Sequence, residues 1–206
     1  MFNFFAPKNK PFQLLRFEKI GVPPRTSLLK NEWTSARALE KKLQRLTRRG
    51  SALLTPATLQ NADGAPAVLP VFFGGYRSFY TIVFPLLQKY NVPATVLLAP
   101  DLVGSYNAWQ NPQQEPWQDL LTRADLDALK QSPLISFGAL PLGGQNITAC
   151  PKEQAVFSLQ ESIYRTEHQL GLRVQAWSCY PAQQLPDGFP ADFSAAPGQP
   201  PLLFLR

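Results

Sequence analysis

Apolar and polar positions divide this chain into strand-like and helix-like runs that take regular turns. Near the N-terminus "FQLLRFEKI" alternates and predicts a short strand, closed by the turn Val22-Pro23-Pro24. "TSARALEKKLQRLTRRG" predicts a helix. Leu39, Leu43 and Leu46 form its apolar stripe, Thr34 or Ser35 can cap its start, and Gly50 can end it in a left-handed conformation. "AVLPVFF" is apolar on both faces, as a buried parallel strand requires. A helix over residues 78–90 is expected to kink near Phe84, because Pro85 removes one helical hydrogen bond. "PATVLLAP" is the next buried strand, and a loop rich in Asn, Gln, Pro and Trp covers residues 101–121. Then come a short helix in "TRADLDALKQS", capped by Thr122, and a strand in "LISFGAL". The longest helix, "PKEQAVFSLQESIYRTEHQLG", runs from Pro151 to Gly171 with a stripe of Val156, Leu159, Ile163 and Leu170. "RVQAWSCY" is another strand, after which the chain is rich in proline and weak in pattern until "PLLFLR".

Strands alternating with helices predict parallel βα units. No GxGxxG stretch follows any strand, which favours a barrel over a dinucleotide-binding fold. Sites in such barrels lie at the carboxyl ends of strands. That rule gathers Phe73-Gly74-Gly75, residues 139–144 and Cys179-Tyr180-Pro181 around one mouth. One domain over residues 1–206 is expected, with an N-terminal arm at 1–13 and a proline-rich, shortened C-terminal part at 182–206.

Composition narrows the function classes. The 206 residues are 45% hydrophobic and 17% charged, a globular balance. No apolar run is long enough for a membrane span, and "MFNFFAPKNKPF" lacks the pattern of a secretion signal, so a cytoplasmic location is expected. Cys150 and Cys179 fit neither a disulfide framework nor a metal-site spacing and read as structural thiols. The net charge of +6 is uneven: residues 1–50 carry twelve Lys/Arg against three Glu, while the rest is net acidic. No nucleic-acid motif accompanies that basic quarter, so a nucleic-acid partner is not expected and a protein partner or self-association is. His168, the one histidine, lies off the apolar stripe of its helix and reads as solvent-facing.

The order and spacing of four segments resemble the polysaccharide deacetylases, the NodB-like domain. "LLRFEKIGVPP" resembles that family's first strand. "VFFGGYRSFYTIVFPLLQKYNVPATVLL" is similar to its most specific stretch, usually TFDDGYRSFYEVAFPILKKYGIPATVFL. "LISFGALPLGGQNIT" resembles VEIGSHTVNHPNLT, and "VQAWSCYP" the segment ending in Tyr-Pro. The resemblance runs from about Leu14 to Pro181. It implies an α/β fold, a distorted, incomplete (β/α) barrel of the polysaccharide deacetylase type.

In that family a metal held by one Asp and two His polarises an acetamide carbonyl and activates water, with a second Asp as base. Carried over, the base position is Phe73 and the metal positions are Gly74, Leu140 and Gly144; the first-strand His position is Glu18. None of the first four has a side-chain lone pair for a metal. The resemblance therefore implies no catalytic residue, no metal and no cofactor, and a protein that is not an enzyme. The first expectation is a non-catalytic interaction or scaffold subunit. The alternative is a carbohydrate-binding module that keeps the substrate groove for an N-acetylated glycan, lined by Tyr76, Trp109, Trp117, Trp177 and Tyr180. Third comes an active metal-dependent polysaccharide N-deacetylase with a rearranged site.

Overall fold

The structure is a computed structural model that describes residues 12–59, 67–147, 150–179 and 202–205. Residues 1–11 of the expected N-terminal arm and most of the proline-rich C-terminal part lie outside the described residues. Seven parallel strands form one sheet: β1 (Phe12–Phe17), β4 (Ala52–Leu53), β5 (Ala67–Phe72), β6 (Ala94–Leu98), β7 (Ile135–Ala139), β8 (Val174–Trp177) and β9 (Leu203–Phe204). Their order is β1-β5-β6-β7-β8-β9, with β4 paired to the start of β5. A separate small sheet joins β2 (Lys19–Ile20) to β3 (Trp33–Thr34). The run read as one strand from Phe12 to Ile20 is thus two strands, broken at Glu18.

The sheet curls because residues alternate between two cores. On β5, Val68 and Phe72 face outward into the core under the helices, while Leu69 and Val71, with Phe73 just beyond, face inward. The inner core joins Leu69, Val71, Phe73, Leu97, Leu140, Ala176 and Leu205, with Leu14 packed against it. Leu14 belongs to the first strand and Leu205 follows the last. Both edges of the sheet therefore close on one apolar interior, which is the incomplete barrel expected from the sequence. No β1–β9 pairing occurs among the described residues.

Helices cover the outer face. α1 (Ala36–Arg48) buries Leu39 and Leu43 and is capped by Ser35, whose Oγ accepts the Ala38 N–H at 3.2 Å. A single turn, α2 (Pro56–Leu59), follows β4; neither was expected from the sequence. The expected disturbance at Phe84 takes the form of a π-helical stretch over Phe79–Val83 that passes into α3 (Phe84–Tyr90). Widening the turn before Pro85 lets the chain continue past a residue with no N–H to give. α4 (Arg123–Leu129) starts with a capping box in which Thr122 and Asp125 each accept the other's N–H.

α5 (Lys152–His168) departs from its expected stripe. Its buried face is Ala155, Ser158, Leu159, Ser162, Ile163 and Thr166, whereas Val156 is only half-buried. The hydroxyls are placed where strand ends need partners: Ser162 Oγ donates to the Leu140 carbonyl at 2.5 Å and Ser158 Oγ accepts the Leu142 N–H at 3.0 Å. They fix the loop after β7, which forms one wall of the mouth. Among the described residues no helix is long and apolar enough to cross a membrane.

Candidate functional site

A groove of about 740 Å³ opens at the carboxyl ends of the strands. Glu18 and Glu32 come from the segment after β1, Trp109 and Gln110 from the loop after β6, and Gly143 to Asn146 from the loop after β7; Cys150 and Gln154 close it beside the start of α5. Trp109 is half-buried in its floor and meets buried Tyr76 edge-on, with ring centres 6.0 Å apart.

Two glycines make the seat for that indole. Gly74 has φ 92° and Gly144 φ 62°, both in the left-handed region. A Cβ on Gly144 would lie 2.5 Å from Trp109 Cε3. One on Gly74 would lie 2.7 Å from Tyr76 Cε2 and 3.2 Å from Trp109 Cζ2. No side chain fits at either position while the two rings stay where they are.

The loop after β6 is held over the mouth by a buried polar network. Glu115, fully buried, accepts hydrogen bonds from Ser27 Oγ and from Trp33 Nε1, the latter at 3.0 Å. Lys19, 1% exposed, donates to Glu32 at 2.6 Å and lies 3.7 Å from Glu115. Gln110 Nε2 also donates to Glu32, at 3.0 Å, and Asn107 Nδ2 donates to Gln110 at 2.7 Å. Nearer the interior, Arg16 donates to Glu18 at 2.8 Å and lies 4.0 Å over the Phe73 ring. Burial, followed by the Glu18 charge, pushes the Tyr76 phenol upward, so it stays neutral.

The residues singled out in the sequence separate into three groups. Glu18, Trp109 and Gly144 line the groove, with Gly74 under Trp109. Phe73 and Leu140 are buried in the inner core. Of the other aromatics, Tyr76 lies beneath the groove and Trp177 is fully buried under α5, so neither is a groove-lining residue. Trp117 stacks on Tyr106 at 4.3 Å, with 47% of its surface exposed, and is not part of the lining either. Tyr180 lies outside the described residues. Trp177 points under α5 because alternation along β8 turns Ala176 inward and its neighbour outward.

Cys179 is buried, and burial raises its thiol to about 11, which leaves little thiolate at neutral pH. His168 is exposed and packs on Tyr164. Asp101 accepts the Gly143 N–H on both carboxylate oxygens, at 2.9 and 3.0 Å, tying two walls of the groove together. The carboxamides of Gln110, Gln145, Asn146 and Gln154 were not foreseen. The only signal for the first three was the density of Asn and Gln in "NAWQN" and "GGQN".

The fold is that of the polysaccharide deacetylases. The chain superposes on the Streptococcus pyogenes deacetylase PplD, solved in complex with acetate, with a TM-score of 0.69 at 20% identity, over 85% of this chain and 76% of that one. A polysaccharide deacetylase from Bacillus cereus gives a TM-score of 0.72 at 17% identity, over 87% of this chain and 54% of its own length. A de-N-acetylase from Aggregatibacter actinomycetemcomitans gives 0.61 at 18% identity, over 81% and 78%. No family profile and no curated protein matches the chain.

These neighbours correct one expectation. A protein that is not an enzyme is expected from the sequence, yet the solved proteins that share its fold are named as deacetylases.

The metal that the fold family implies is a separate question, and the residues here do not fit it. Phe73 and Leu140 lie in an apolar core, the Trp109 indole occupies the space above Gly74 and Gly144, and none of these side chains offers a ligand atom. Among the described residues no cluster of three or more His, Cys, Asp or Glu could hold a metal ion. What the groove offers instead is an aromatic face, carboxamides that donate and accept, and two carboxylates.

Proposed function

We propose that this chain handles polysaccharide, holding an N-acetylated glycan along the groove at the carboxyl ends of its strands. The observation that carries the reading is Trp109, a half-buried indole in the floor of a groove whose other walls carry carboxamides. The apolar face of a pyranose ring stacks on an indole, and carboxamides pair with sugar hydroxyls and acetamido groups. A volume of about 740 Å³ is in the range of established ligand sites. The deacetylases that share the fold support the substrate class.

A second reading, an interaction subunit, is favoured by one feature. Val22 and Leu28, between β2 and β3, are 86% and 72% exposed, and apolar side chains so placed favour cover by a partner.

Calorimetric titration with the N-acetylglucosamine hexamer tests the first reading, with acetate measured in the same samples. Binding that Trp109→Ala weakens by about tenfold is expected. No binding of the hexamer or of any glycan on an array would overturn it and leave the interaction reading.

A further inference from the structure

The charge inside the groove is opposite in sign to that of the chain. The protein carries +6, yet among the described residues the lining includes no Lys or Arg, and its two charged members, Glu18 and Glu32, are carboxylates. The cations nearest them are already engaged. Arg16 is paired with Glu18, and Lys19 is 1% exposed between Glu32 and Glu115. Three carboxylates thus face two cations around the floor, and Asp101 adds a further carboxylate at the rim. The indole of Trp109 presents a π face, which attracts an ammonium group placed over it. The distant positive charge of the chain does not cancel this, because at physiological salt charges more than about 8 Å away are largely screened.

We propose that the sugar unit over Trp109 is a hexosamine with a free, protonated amino group. The groove would then read partly de-N-acetylated chains, with N-acetylated units on either side. This rests on the polysaccharide reading and deepens it. A ligand of this kind is supplied by hydrolysis of an acetamide, in which water adds across the C–N bond to release acetate and leave the amine. Glu18 and Glu32 supply the charge complement, Trp109 the platform, and Gln145 and Asn146 the hydrogen bonds to hydroxyls.

The test compares the glucosamine hexamer with the same hexamer after full N-acetylation, on the full chain, at low and at physiological salt. About fivefold tighter binding of the glucosamine hexamer is expected at low salt, narrowing as salt rises. Glu18→Gln and Glu32→Gln should each cut that preference by about threefold. Because Glu32→Gln disturbs the Lys19 pair, an independent readout is the alkylation rate of Cys150, which lines the groove. Bound glucosamine hexamer should slow it in the unaltered protein. Equal or tighter binding of the N-acetylated hexamer would overturn the inference while leaving the groove as a glycan site. Failure of both hexamers to bind would overturn the groove reading itself.

Discussion

Across the same mouth, Phe73 and Leu140 pack among aliphatic side chains, while buried Lys19 and Glu115 form a network of charges with half-buried Glu32. The first half stands on strand ends, and its side chains are placed by the alternation of β5 and by the exit of β7. The second half stands on loops, and each of its charges is placed by a partner distant in sequence, such as Ser27 with Glu115. An apolar half loses stability in proportion to the volume removed. A charged half loses it when one partner is left alone in a dry place.

Phe73→Ala should give the largest effect. It opens a cavity in the inner core and should cost about 4 kcal/mol in urea unfolding. If it costs under about 1 kcal/mol, the inner core is not the packed body described. Glu115→Ala comes next, at about 3 kcal/mol, because Ser27 and Trp33 lose their acceptor and Lys19 keeps only Glu32. A loss as small as that of an exposed ion pair would mean that water reaches the loop half.

Gly144→Ala should cost about 2 kcal/mol, from a left-handed backbone and a Cβ 2.5 Å from the indole. In a Trp109→Ala background the steric part should vanish, giving a coupling of about 1 kcal/mol in a double-mutant cycle. Strict additivity would show that Trp109 is not seated on Gly144.

The smallest effect belongs to a control away from the mouth, the exposed bridge of Lys89 to Glu40, 2.8 Å long. The hydrogen bond from Lys89, then that from Tyr90, lowers the Glu40 carboxyl, and the bond to Glu40 raises the Lys89 ammonium. The lowered acid contributes stability above its unfolded value and loses it as pH falls through the folded one. The raised base contributes below its unfolded value and loses it as pH rises through the folded one. Lys89→Met should therefore differ slightly from the unaltered protein near neutrality, and not at all well below pH 4.5 or well above pH 10.5. A difference that persists in acid would point to lost packing of the lysine stem instead.

The strand half was legible in the sequence and the loop half was not, for the same physical reason. "AVLPVFF" and "PATVLLAP" announce buried strands by composition, and their order places the mouth. Nothing local in residues 101–121 says that Glu115 is buried or that Trp109, and not Trp117, faces the groove. Those outcomes depend on contacts with residues 27–33, some 80 positions earlier. Leu159, Ile163 and Leu170 of the expected α5 stripe are buried, but hydrophobicity alone misses Ser158, Ser162 and Thr166, which are buried for their hydrogen bonds.

The pairing of β1 with β5 also sets an order in time. Phe12 pairs with Ala67, 55 residues on, whereas β6 meets β5 at Val71 and Thr95, 24 residues apart. Closing the longer loop costs only about 0.7 kcal/mol more, too little to decide which pair forms first. Synthesis decides instead. β1 leaves the ribosome before the other described strands, and β5, its neighbour in the main sheet among the described residues, is made only after α1 and β4. Until then its Leu15 and Phe17, buried in the finished protein, have no sheet to cover them. For that interval β1 is exposed to aggregation, and a holding chaperone would protect it.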